Sequence, residues 1–144
     1  MRKVLFATVV IALFSIVFSC KKTTSTTNNA RTVQGLSGSY SVTGLDASFA
    51  GLDSNLYNAL PACEKDNIIK LNTDKSVQFI DAGTKCVPPT DSTGTWSISQ
   101  NTDTIYVASQ SFFIKTWDGT TLVLTDATSI SGFPVTITTT LAKQ

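Results

Sequence analysis

Cys20, Cys63 and Cys86 are the residues of this 144-residue chain best equipped for chemistry, and no histidine accompanies them. A thiol can attack an acyl group, ligate a metal, close a disulfide or carry a lipid. Nucleophilic attack needs a thiolate, and the usual base that generates it is histidine. Metal ligation favours closely spaced pairs such as Cys-x-x-Cys, commonly with histidine. Cys63 and Cys86 fit neither pattern. Paired carboxylates are another route to hydrolysis, but the ten Asp and Glu residues are scattered among turn-like segments without a spaced pair. These residue types point away from an enzyme. They leave no catalytic residue, metal ligand or cofactor to assign.

Cys20 takes its meaning from what precedes it. Arg2 and Lys3 open the chain, an apolar run follows from Val4 to Phe18, and Ser19 stands directly before the cysteine. Positive, apolar, small, then cut is the order of an export signal. A cysteine at the cut resembles the bacterial lipobox, in which the thiol is acylated and becomes the new N-terminus. An ordinary secretory signal is one alternative, and a membrane-spanning anchor is another. The anchor is short, since about fifteen residues span about 22 Å as a helix against a hydrocarbon core of about 30 Å. The expected organisation is a signal peptide over 1–19, a lipidated tether rich in Thr, Ser and Asn over 20–34, and a folded domain over 35–144. A glycosylated stalk is the other reading of the tether. Lys21 stands where known bacterial lipoproteins retained in the inner membrane carry aspartate. The expected address is therefore the outer membrane, facing the periplasm.

With Cys20 lipidated, Cys63 and Cys86 remain as an even pair in an oxidising compartment, where a disulfide is expected. Closing a loop of about two dozen residues contributes roughly 3 kcal/mol. From Gly35 onward six lysines face ten acidic residues. That mildly acidic balance, with no aromatic residue in a basic cluster, excludes nucleic acid as the expected partner.

Short alternating segments between turn signals predict an all-β sandwich or barrel. The segments are Gly38–Val42, Ile68–Leu71, Val77–Ile80, Trp96–Ile98, Ile105–Val107, Phe112–Trp117, Leu122–Leu124 and Val135–Leu141. Asp118-Gly119 is the strongest hairpin signal among them. One region departs from the pattern. Leu52, Leu56 and Leu60 recur every four residues, with Asp53 as N-cap and Pro61 as stop, and predict a short helix or ordered loop near 52–60. The many threonines suit the solvent face of strands, with a carbohydrate-binding surface as the alternative.

Taken in order, Cys63-Glu64-Lys65-Asp66-Asn67, Ile69 to Leu71, Lys85-Cys86, Gly94-Thr95-Trp96-Ser97-Ile98 and Thr121-Leu122-Val123-Leu124 resemble the bacterial lipocalin-like domain. In that family two cysteines precede a Gly-x-Trp strand, and a late L-x-L strand follows the final hairpin. The similarity runs from Leu36 to the C-terminus. It implies an up-and-down antiparallel barrel of about eight strands, covered at one end, with no shared catalytic site. This chain departs from typical lipocalins, which place Gly-x-Trp on the first strand. Here that strand carries Gly38-Ser39-Tyr40, which puts Tyr40 at the barrel floor in place of tryptophan.

An eight-stranded barrel is just wide enough to be filled by side chains or to hold one small ligand. The candidate inward residues are Tyr40, Val77, Phe79, Trp96, Ile98, Phe112, Ile114, Leu122 and Leu124. The opposite phase, including Phe113 and Val123, is also apolar, and for each candidate both core packing and ligand lining are open. Two functions follow. One is a membrane-tethered module holding a small apolar or amphipathic ligand. The other is a filled barrel that contacts protein partners through its loops. A cavity of about 300 Å³ or more lined by the aromatic candidates above would favour the first, and a solid interior with an exposed apolar patch on a loop the second.

Overall fold

The computed structural model describes residues 30–144. The expected signal segment, Cys20 and most of the tether lie outside the described residues. Nine strands form one sheet: β1 (Gly38–Phe49), β2 (Leu52–Asn55), β3 (Ile68–Leu71), β4 (Ser76–Ile80), β5 (Ser92–Ile98), β6 (Thr104–Val107), β7 (Gln110–Trp117), β8 (Thr121–Ile130) and β9 (Phe133–Lys143). Every paired neighbour is antiparallel, and β9 returns to pair with β1, so β1 and β3 through β9 close an eight-stranded barrel. β2 is the extra strand, paired with the outer half of β1. Closure removes the open edges of a flat sheet.

Alternation builds the core. Leu122 and Leu124 on β8 are buried while Thr121 and Val123 are only partly so, and Val77, Trp96, Ile105, Ile114 and Leu141 join them inside. Phe112 packs against this core whereas Phe113 is exposed, which fixes the phase of β7. Further along β7 the register shifts between Ile114 and Thr116. That bulge adds one residue, Lys115, and returns Trp117 to the inner face three positions after Ile114 instead of two or four. Strict alternation would have pointed Trp117 to solvent; it is 8% exposed.

One end of the barrel is sealed by α1 (Val33–Leu36), capped where Thr32 Oγ1 accepts a hydrogen bond from Gly35 N at 3.1 Å. The helix brings Leu36 onto Tyr40, both fully buried, and the Tyr40 hydroxyl donates to the Leu36 carbonyl at 2.6 Å. Burial pushes the Tyr40 phenol far above its ordinary pKa. Trp117 lies 6.2 Å from Tyr40 between ring centroids, and Lys143 Nζ stands 5.9 Å and 5.4 Å from the two rings while donating to the Gly35 carbonyl. Burial lowers the Lys143 pKa. Tyr40 occupies the floor as the first strand implied, with Trp117 as its aromatic neighbour.

The short helix or ordered loop expected near 52–60 is present as a 3₁₀ turn at Tyr57–Ala59, and a short strand precedes it. Ala50 and Gly51 both have positive φ (49° and 81°), making a tight two-residue turn that sends the chain back along β1. Leu52 then pairs with Phe49 and is 74% exposed, and Asp53 sits in β2 opposite Ser48 instead of capping a helix. A single 3₁₀ turn follows at Tyr57–Ala59. Pro61 starts the next helix, α2 (Ala62–Lys65), where its missing N–H costs nothing.

Candidate functional site

The end opposite α1 is built by two connections. α2 and its successor residues form one, and the β4–β5 loop over 81–91 forms the other. A disulfide between Cys63 and Cys86 joins them, with Cα atoms 5.2 Å apart. Thr84 N also donates to Asp66 Oδ2 at 2.8 Å, and Asn67 Nδ2 donates to Thr90 Oγ1 at 3.4 Å. Inside the loop Asp81 is fully buried. Its carboxylate accepts from Cys86 N at 3.3 and 3.1 Å and from Thr90 N at 3.4 Å. Its own N–H donates to Asp91 Oδ1 at 3.0 Å, and Lys85 Nζ bonds its carbonyl. A buried carboxylate is tolerated because its lone pairs meet N–H donors. Asp81 thus holds the loop in one shape against the sheet.

These connections frame a cleft of about 430 Å³ at the barrel mouth. Val42, Leu45, Ile69 and Phe79 form its apolar wall, Leu60 overhangs it, and Glu64, Asn67, Thr90 and Ser92 supply the polar side. Below it a smaller cavity of about 130 Å³ is walled by Leu71, Ile105, Phe112 and Leu124. Ile69, Phe79 and Thr139 border both, so the two spaces are successive levels of one interior. A larger groove, about 700 Å³, runs past Asp46, Lys115 and Thr138. The strand register places it on the outer face, outside the barrel interior, with Phe113 among mostly charged and hydroxyl side chains.

Of the residues proposed to line the interior, Phe79 borders both levels, and Phe112 and Leu124 border the lower one. Tyr40, Trp96, Ile98, Ile114 and Leu122 line neither level and pack in or against the core. The barrel is therefore filled below and open above. Sequence reading missed Ile69, Leu60, Glu64 and Asn67 at the mouth. Ile69 pairs with Phe79, but Ile68 and Ile80 beside them are apolar too, so alternation did not mark which of these residues face the interior. No group of three or more His, Cys, Asp or Glu able to hold a metal ion occurs among the described residues.

β8, β9, β1 and β2 extend beyond the mouth as a wing. Across antiparallel partners side chains share a face, so Ala47 with Ile137 and Phe49 with Leu52 continue the inner face outward from Leu45 and Thr139. Phe49 and Phe133 meet edge to face at 5.5 Å, and Ile130 beside them is exposed.

A closed antiparallel barrel, plugged at one end and open at the other with an apolar interior, defines a lipocalin-type binding scaffold. The profile of the lipocalin-like domain matches residues 23–124, and the chain belongs to that family. No curated protein and no solved structure matches the chain.

Proposed function

We propose that this protein is a non-enzymatic, membrane-tethered binding module that holds a small apolar or amphipathic molecule in the open upper half of its barrel. The observation that carries this reading is the mouth cleft of about 430 Å³ continuing into the apolar lower level. Spaces of this size and lining are typical of small-molecule sites. Native mass spectrometry of gently purified protein should show a bound small molecule, and Phe79→Glu should lose it while remaining folded by circular dichroism. A ligand-free spectrum from the unmodified protein, together with no uptake of an added alkyl probe, would refute the reading. The exposed Phe49, Ile130 and Phe133 at the wing tip favour protein contact as a second reading.

The tether belongs to the same proposal. Cys20 carries the lipid and the protein resides at the outer membrane, facing the periplasm. Radiolabelled palmitate should be incorporated into the unmodified chain, and Cys20→Ala should abolish the label. Label persisting in that variant would remove the anchor from the proposal.

A further inference from the structure

The mouth carries charge of one sign. Glu64 is the one charged side chain among the described residues that line the cleft, and the lower level has none. Glu64 is exposed and lies on the polar side of the cleft with Asn67, Thr90 and Ser92, opposite the apolar wall. A second carboxylate shares the inner face above the mouth, because Asp126 pairs with Ile137 and Ile137 with Ala47. The nearby lysines are committed elsewhere. Lys65 Nζ donates to the Asn58 carbonyl at 3.2 Å and lies 5.5 Å over the Tyr57 ring, while Lys85 Nζ bonds the Asp81 carbonyl. The lining of the cleft therefore holds a carboxylate and no lysine or arginine.

We infer that the cleft selects amphiphiles whose head group donates hydrogen bonds, ammonium above all, and discriminates against fatty-acid anions. This rests on the ligand-binding reading above and names the chemical class. An ammonium head at the rim forms a charge-assisted hydrogen bond to Glu64. A carboxylate head in the same position meets a like charge with no cation to compensate it. The apolar walls make the tail contribution common to both, so the head group decides.

Titration calorimetry of the full chain at neutral pH with dodecylammonium, dodecanol and dodecanoate, each below its micelle concentration, tests this. Dodecylammonium should bind about three- to fivefold more tightly than dodecanoate, the range for an ion pair at an exposed rim. Glu64→Lys should reverse that order, and an unchanged dodecanol affinity in the variant would show that the cleft is intact. Equal binding of the two ions by the unmodified protein, or an order that Glu64→Lys does not move, would overturn the inference while leaving ligand binding standing. Absence of binding by all three probes would overturn both.

Discussion

Replacing Cys63 and Cys86 together with serine is expected to lower stability by about 3 kcal/mol, which corresponds to a fall in Tm on the order of 10 °C for a domain of this size. The disulfide ties α2 to the loop over 81–91. Neither segment has enough apolar burial of its own to stay in place: α2 has no buried residue, and in the loop Asp81 and Cys86 are the buried positions. Without the bond the unfolded chain regains the entropy of a long open loop, and the mouth loses its main fastener. Differential scanning calorimetry of the double variant, and of the unmodified protein in reductant, should give matching losses. A loss below about 1 kcal/mol would mean that Asp81, Asp66 and Asn67 hold the mouth without the cross-link. Ligand uptake should fall along with stability, since Glu64 and Asn67 sit on the segment released.

Trp96→Ala is expected to cost about 3–5 kcal/mol, the range for removing a large aromatic from a core that cannot collapse around the hole. Trp96 is 2% exposed, and its backbone and side chain are both engaged. Its N–H donates to the Lys75 carbonyl at 2.8 Å, and its indole Nε1 donates to the Asn72 carbonyl at 2.9 Å. The ring therefore pins the Asn72–Lys75 turn to the sheet while it fills the lower barrel. Trp96→Phe separates these roles, because most of the volume stays and only the indole hydrogen bond is lost. That variant should cost about 1–2 kcal/mol. Urea denaturation of both variants checks the pair. A Trp96→Ala cost no larger than that of Trp96→Phe would deny the ring its packing role.

Most of the barrel was legible in the sequence because its information is local. Ser76-Val77-Gln78-Phe79 and Thr95-Trp96-Ser97-Ile98 alternate with period two, and the turns carry their own chemistry. Asp118 Oδ1, for example, accepts from Thr120 N, Thr120 Oγ1 and Thr121 N, which holds its carboxyl below the usual range. The Cys63–Cys86 pairing followed from counting thiols. Residues 52–60 were legible as a short helix or ordered loop, which the 3₁₀ turn at Tyr57–Ala59 matches, but the strand at Leu52–Asn55 was not. Ala50-Gly51 was the signal for the turn that leads into that strand. Trp117 was hidden for a different reason: a one-residue bulge reverses the phase of everything after it, and Lys115 carries no mark of that. The mouth was least legible. Glu64, Asn67 and Ile69 come together only through the barrel's register and the placement of α2, neither of which any local pattern encodes.

Barrel closure has a kinetic side. The first strand finds its partners at both ends of the fold: Gly38 through Ser41 pair with β3, while Tyr40 through Ser48 pair with β9, about a hundred residues later. Local hairpins from β3 to β8 can form as they become available, but the ring cannot shut until β9 is present. Contacts so distant in sequence make closure a late and comparatively slow step. Until then β1 and β8 both present open hydrogen-bonding edges, with Tyr40, Leu122 and Leu124 on the apolar side. A chain in that interval is exposed to association with its own kind through those edges. Pairing of a single strand, β9, covers both of them at once.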